Sequence, residues 1–455
     1  MEAVLRQMFP PSRIKCAPDD LAVWGCDWTR SYDVAPSAIV FPESLEDVVG
    51  VTKLANSEGF ALVPSGGRTG LSGGAVASHG EVVVSFDRMN RILSFDSADR
   101  LVRCQAGVVT QALQGFAEER NLSYPVDFAS AGSSQIGGNV ATNAGGIKVI
   151  RYGMTRDWVA GLTVVTGTGE VLKLNRGLVK NATGYDLRHL FIGSEGTLGF
   201  IVEVDVRLTD PPAPSRVMVL GLDRFADVLK VLPAFQARLK LSAFEFFSEL
   251  ALGKVVAHRG LSAPLAAPAA FYALLEFDRA DEAEALAAFE AVLDRGWVSD
   301  GVISQSDAQA QALWALRDGI TESIAPYTPY KNDLAVRISE MPGFLSDVDR
   351  VVAANYPDWE ICWFGHIGDG NLHLNVLKPP DLGMADFYAR CHAISPKLFE
   401  LVRERGGSIS AEHGVGLLKR DFLSYSRSAV ELDVMRAVKA VLDPNGVMNP
   451  GKLLA

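Results

Sequence analysis

Histidine is scarce in this chain, with seven among 455 residues, and three of the seven fall in two short polar segments. The first is Phe364-Gly-His366-Ile-Gly-Asp-Gly-Asn-Leu-His373-Leu-Asn375, and the second is Ser410-Ala-Glu412-His413-Gly-Val-Gly416. Any one of these histidines, taken alone, reads as a ring satisfied by a local hydrogen bond. Together, His366, His373 and Glu412 supply two imidazoles and a carboxylate, a donor set for a divalent cation that leaves positions open for water or substrate. His413 adds a side chain that titrates near neutrality and can take a proton. The elements that position them are short strands. Gly368-Asp369-Gly370 is a turn signal. On the strand after it, the period of two puts His373 and Asn375 on one face and Leu372 and Leu374 on the other. His366 and His373 are therefore expected to converge.

Cations precede this region. The stretch Trp314 to Thr321 reads as a helix, with Arg317 and Thr321 four apart on one face. Lys331 follows in Tyr330-Lys-Asn-Asp. Arginine grips a carboxylate as a planar fork and lysine acts as a point charge. A lone arginine or lysine is ordinarily a surface residue, so these positions carry weight only in combination.

Three glycine-rich segments occupy the first half: Pro64-Ser-Gly-Gly-Arg-Thr-Gly-Leu-Ser-Gly-Gly74, then Pro125 to Gly146 (PVDFASAGSSQIGGNVATNAGG), then Gly184 to Gly199 (GYDLRHLFIGSEGTLG). The first follows a strand, and its backbone N–H groups can form a nest for an anion such as a pyrophosphate. It is neither a P-loop nor a GxGxxG fingerprint. The second reads as too polar and glycine-rich for a core helix.

Around these segments the chain is organised as short strands and amphipathic helices. SAIVFPES, ALVPSGG, VVVSFDRM, LVRCQAGV, WVAGLTVVTGTGEVLKL and LGFIVEVDVRLT read as strands, and SLEDVVGVTKLANSEGF as a helix. DPPAPSR (210–216) is a proline-rich break. Beyond it, ADVLKVLPAFQARLKL and DEAEALAAFEAVLDRG read as helices and FYALLEFD as a strand, and the last ~45 residues read as helical up to DPNGVMNPGKLLA. The net charge of −11, without a basic run, excludes nucleic acid as an expected partner. No apolar stretch is long enough to span a bilayer and no signal peptide is visible. The five scattered cysteines suit a reducing cytoplasm.

The segments PSGGRTGLSGG, GGNVATNAGG and GSEGTLG, with GHIGDGNLHLN and SAEHGVG, resemble the vanillyl-alcohol oxidase / p-cresol methylhydroxylase (VAO/PCMH) superfamily. Within it they resemble the branch of D-lactate dehydrogenase, the glycolate oxidase flavin subunit and D-2-hydroxyglutarate dehydrogenase, with the last the nearest in pattern. The resemblance runs from about residue 36 to the end. It implies an α+β fold: a two-subdomain FAD-binding domain over residues 1–213, an antiparallel-sheet substrate (cap) domain over 214–410, and a C-terminal helical segment over 411–455 that returns to the FAD domain. It implies that Ser65, Gly66, Gly67, Arg68, Thr69, Gly70, Leu71 and Ser72 wrap the pyrophosphate, with Pro64 before them also at the cofactor. Pro125, Gly132, Gly137, Gly138, Asn139, Thr142, Asn143, Gly145, Gly146, Gly153, Gly196 and Val202 are expected to line FAD, with Asn449 and Lys452 returning to it. His79 lies outside the matched loops, so the expected FAD is noncovalent.

The same resemblance implies that His366, His373 and Glu412 hold a zinc-like divalent metal, and that Asn375 and His413 face the substrate, with His413 the catalytic base. Arg317, Thr321 and Lys331 match positions that contact substrate carboxylates. The expected reaction is oxidation of a D-2-hydroxy acid, with hydride passing to flavin N5 and the metal easing loss of the hydroxyl proton. Lys331 as partner of a second carboxylate favours a dicarboxylate, D-2-hydroxyglutarate giving 2-oxoglutarate, with D-malate a shorter candidate. D-lactate dehydrogenase, a glycolate oxidase subunit and an alkylglycerone-phosphate synthase-like transferase are the alternatives. The expected electron acceptor is electron-transfer flavoprotein or a quinone, and a homodimer is the expected assembly.

Overall fold

The computed structural model describes residues 1–454. The chain forms two compact units. The first comprises residues 1–145, 153–211 and 412–455, and the second 146–152 and 212–411.

Two sheets build the first unit. One contains β1 (Ile14–Lys15), β2 (Ala38–Val40), β3 (Leu62–Ser65) and β4 (Val82–Ser85) in the order β1-β2-β4-β3, with β2 and β3 parallel to β4. Parallel strands are usually covered on both faces, and Val82, Val83 and Val84 are fully buried, with Val83 in one apolar cluster and Val82 and Val84 in another. The crossover from β2 to β3 is α1 (Leu45–Glu58). Ser44 and Asp47 close a capping box at its start, and Gly59 ends it at φ +74°. The other sheet holds β5 (Ile92–Asp96), β6 (Leu101–Gln105), β7 (Val159–Thr166), β8 (Val171–Leu174) and β9 (Gly199–Arg207), antiparallel in the order β5-β6-β9-β7-β8. The chain end rejoins this unit: Met448 forms a parallel bridge with Leu62, and Leu62 N donates to Val447 O at 2.7 Å.

The glycine-rich stretch after Pro125 departs from the expectation of a non-helical segment. Ile136–Thr142 is a helix, α2, with Ile136, Gly137, Asn139 and Val140 buried. The reason is close packing. A Cβ on Gly137 would lie 2.5 Å from the Ala106 Cβ, so glycine lets the helix touch the neighbouring chain. Asn139 is satisfied by Thr110 Oγ1 at 2.6 Å.

The second unit is one antiparallel sheet covered by helices. Its strands are β10 (Ser215–Leu222), β11 (Leu241–Ser248), β12 (Phe271–Asp278), β13 (Asp300–Ile303), β14 (Tyr330–Ala335), β15 (Ile361–Gly365) and β16 (Asn371–Val376), in the order β13-β10-β12-β11-β15-β16-β14. The expected single helix over Trp314–Thr321 is two: α3 (Asp307–Asp318) and α4 (Ile320–Ile324), separated at Gly319. A Cβ at Gly319 would crowd Ala315 O at 2.9 Å. Arg317 is buried beneath this break, whereas Thr321 is exposed, so the two do not share one continuous face. In the C-terminal segment, α-helix is confined to Ala429–Leu442, with a 3-10 turn over Arg420–Tyr425 before it. Gly414 at φ +80° and Gly416 at φ +50° oppose a regular helix before that turn.

Candidate functional site

In the first unit, β3 delivers the chain into the loop 66–74. Gly67 lies so close to the second glycine-rich segment that a Cβ there would meet Ser133 O at 2.1 Å. The loop is fixed from outside: Gly73 N donates to Asp27 Oδ2 at 2.8 Å, and Gly70 O accepts from Trp28 N at 3.0 Å. Arg68, at φ +59°, points its guanidinium at Gly66 O and Asp87. Among the described residues, no protein acceptor takes the N–H groups of Gly67 through Ser72. Three further buried atoms have no hydrogen-bond partner: Ser65 Oγ, Gln135 Oε1 and Asn449 Oδ1. Gly138, on α2, faces open space. Buried polar groups are almost always satisfied, so this concentration marks a place for a polar ligand with an anionic group.

The third glycine-rich segment closes the loop and ties it to the chain end. Glu195, at φ +50°, accepts from Val415 N and Gly416 N, each at 2.7 Å, one bond to each carboxylate oxygen. Burial pushes the Glu195 carboxyl above its ordinary value, against those two bonds. Asn449 Nδ2 donates to Gly74 O at 2.9 Å and Glu195 O at 2.7 Å. Leu417 N and Leu418 N donate to Ser72 O. Lys452 is 2% exposed, and its Nζ lies 3.6 Å from Glu81 Oε1. Burial lowers the Lys452 ammonium pKa.

The remaining expected residues divide. Pro125, Gly137, Asn139, Gly145 and Gly196 are buried in this unit, and Thr142, Asn143 and Gly153 are half-buried. Gly196, at φ +70°, packs on Pro64. Gly132 is exposed, Val202 is a core valine, and Gly146 belongs to the second unit.

In the second unit, register aligns the polar residues. Lys331 is opposite Asn375, and Asp333 is opposite His373. On the other side of β16, Phe364 opposes His373 and Cys362 opposes Asn375. The rings of His366 and His373 meet edge to face, with centroids 5.3 Å apart. His373 Nδ1 is 3.8 Å from Asp333 Oδ1, which also accepts from Asn371 Nδ2 at 2.9 Å. Continuing the β11–β15 register, Glu245 falls opposite His366, and its Oε1 is 2.8 Å from His366 Nδ1. Glu245 Oε2 is 2.7 Å from Arg317 Nη2, a charge contact too oblique for a hydrogen bond, and the Arg317 guanidinium lies 4.9 Å from the Phe364 ring centroid. Asn375 Nδ2 is buried without a partner. Among the described residues no carboxylate pairs with Lys331, whose ammonium pKa is lowered by burial. The segment 408–411 lies along β14, with Ser408 exchanging hydrogen bonds with Ala335 and Ala411 N donating to Asp333 O. In the first unit, Glu412 and His413 follow directly along the chain, with His413 Nε2 3.5 Å from Glu412 Oε1.

Comparison with known proteins decides the family. Residues 36–175 match the FAD binding domain, and residues 211–453 match the C-terminal domain of FAD linked oxidases. The chain is 57% identical to the D-2-hydroxyglutarate dehydrogenase of Stutzerimonas stutzeri over 99% of its length and 98% of that relative's. The chain belongs to the D-2-hydroxyglutarate dehydrogenase family of FAD-linked oxidases. The mitochondrial D-2-hydroxyglutarate dehydrogenase of Bos taurus is 38% identical, over 98% of the chain and 81% of that protein. Among solved structures, p-cresol methylhydroxylase shares the fold with a TM-score of 0.78 at 17% identity, over 99% of the chain and 96% of that protein. An alkyldihydroxyacetonephosphate synthase shares it with a TM-score of 0.74 at 18% identity, over 99% and 85%. The fold is thus of the PCMH/VAO type. The residues of the first unit fit the FAD of an FAD-linked oxidase: a run of N–H groups without protein acceptors suits the pyrophosphate, and buried orphan acceptors suit hydroxyl and ring N–H donors.

Three carboxylates central to this geometry were not singled out by sequence reasoning. Glu245 in LSAFEFFS was visible as one acid in an otherwise apolar strand, a pattern that demands a buried partner. Asp333 and Glu195 gave no such signal, since each sits in a polar stretch.

Proposed function

We propose that this FAD-linked oxidase oxidises D-2-hydroxyglutarate to 2-oxoglutarate, with D-malate as a shorter substrate. The observation that carries the reading is Lys331, a largely buried ammonium with no carboxylate partner among the described residues, on the strand position opposite Asn375, whose buried Nδ2 also has none among them. A buried charge without a counter-charge is costly, and a substrate's distal carboxylate is the natural partner. The names of the curated relatives agree.

The chemistry of the donors fits a divalent cation, Zn(II) by our assignment. His366, His373 and Glu412 form the set we assign, and Asp333, whose Oδ1 lies 3.8 Å from His373 Nδ1, is a further carboxylate beside it. When bound, FAD supplies the hydride acceptor and the cation a Lewis acid toward the substrate hydroxyl. Arg317 holds the carboxylate next to the hydroxyl, and Lys331 holds the distal one. Asn375 donates Nδ2 to the substrate. His413 takes the hydroxyl proton on a ring nitrogen. Thr321, exposed on α4, is assigned to the outer edge of the substrate site. We assign the FAD as noncovalent and electron-transfer flavoprotein or a quinone as the electron acceptor. The five free cysteines suit a cytoplasmic protein.

The test is anaerobic reduction of the purified holoenzyme. D-2-hydroxyglutarate is expected to bleach the flavin band near ~450 nm, EDTA to abolish the bleaching, and Zn(II) to restore it. Bleaching by D-lactate in preference to D-2-hydroxyglutarate would reject the assignment of Lys331.

A further inference from the structure

Glu245 is 1% exposed and sits on β11 in an apolar stretch, yet it touches two of the residues assigned to the chemistry. One oxygen meets the His366 ring and the other the Arg317 guanidinium. An ionised carboxylate only accepts hydrogen bonds, so the contact to Nδ1 requires the proton on that nitrogen. The His366 lone pair is then on Nε2, the nitrogen that would bind a cation. The same carboxylate neutralises Arg317, a residue only 5% exposed, and a buried arginine without an acid beside it is strongly disfavoured.

We propose that Glu245 is a positioning residue that serves two sites at once. It fixes the His366 tautomer and ring angle for the metal, and it sets the Arg317 fork against Phe364 for the substrate carboxylate. The inference rests on the metal reading proposed above. Its consequence is coupling: a change at this one side chain moves metal affinity and substrate affinity together. Glutamine cannot replace it. With its carbonyl toward His366, its amide N–H groups face the Arg317 donors. Turned over, it donates to Nδ1 and forces the proton onto Nε2.

The experiment uses the FAD-loaded protein, stripped of metal and titrated with Zn(II) against a chromophoric chelator. Glu245→Gln is expected to weaken Zn(II) binding by about 10–100-fold, the usual effect of losing a partner of a metal-bound histidine. At saturating Zn(II) it is expected also to raise KM for D-2-hydroxyglutarate. FAD content is expected to stay at the parent level, because Glu245 lies outside the unit that carries the FAD cradle. Glu245→Asp, which keeps the charge, is expected to recover part of both losses, and it is the variant to measure if the glutamine protein does not fold. His373→Ala separates the two ways of failing. If His373→Ala loses Zn(II) while Glu245→Gln binds it as the parent does, the positioning role of Glu245 is wrong. If His373→Ala also binds Zn(II) as the parent does, the metal assignment is wrong and the proposal falls with it.

Discussion

Replacing Lys331 with methionine tests the substrate assignment most directly. Lys331 and Asp333 are two residues apart on β14, opposite Asn375 and His373. That spacing is about 6.7 Å along a strand, so the cation assigned to the distal carboxylate is offset from the metal donors. Two methylenes separate the distal carboxylate of D-2-hydroxyglutarate from its hydroxyl-bearing carbon, which suits that offset, whereas D-lactate has no second carboxylate to offer. Burial lowers the Lys331 pKa, so the cost of desolvating the ammonium is already met in the folded protein. A charge-assisted hydrogen bond is worth about 1.5–3 kcal/mol. A loss near 2 kcal/mol corresponds to about 30-fold in kcat/KM. Because the distal carboxylate does not change during the reaction, the loss should appear in KM with kcat nearly unchanged. The assay is steady-state reduction of a dye by the parent and Lys331→Met proteins, with D-2-hydroxyglutarate and D-lactate in parallel. Among the described residues no ion pair of Lys331 is broken, so thermal stability should not fall. Equal losses for both substrates, or a kcat effect without a KM effect, would refute the reasoning.

Three further predictions concern the first unit. Gly67→Ala is expected to lose FAD, since its Cβ would collide with backbone at Ser133. Gly138→Ala, with nothing in the protein near its Cβ, should stabilise apo α2 by about 0.5–1 kcal/mol yet weaken FAD binding. The flavin-to-protein absorbance ratio and apo melting temperature read both, and an unchanged ratio in both variants would remove these glycines from the cradle. Glu195→Gln addresses pH. The Glu195 carboxyl is raised in the folded protein, so the stability it contributes is present below the ordinary carboxylate pKa and is lost as pH rises through the raised value. The glutamine variant should lack that decline, seen as a difference between the two plots of melting temperature against pH. Parallel plots would show that Glu195 does not titrate in this way.

The strands and helices that were legible have local periodicity: α1, β3 running into the glycine loop, and the GDG turn before β16. What failed was set by contacts distant in sequence. Gly137 permits a helix because Ala106 lies against it, and the break at Gly319 separates Arg317 from Thr321. The site residues were legible as motifs, but not their pairings. The opposition of Lys331 to Asn375 depends on strand register, and the meeting of Glu245 with His366 and Arg317 joins three segments that no spacing rule connects.

Asn449 bonds to both Gly74 and Glu195, and Met448 lies on the edge of β3. A ribosome making this chain therefore produces the first strands of the cradle long before the residues that complete it. In between it makes nearly all of the second unit, whose contacts are mostly its own. Pairing ends so far apart is slow, although the entropic cost of closing the long loop grows only logarithmically with its length. Cofactor capture thus belongs after residues 448 and 449 have reached β3 and the glycine loop, and a polypeptide without them lacks the clasp. Flavin retention would then report that this clasp has closed.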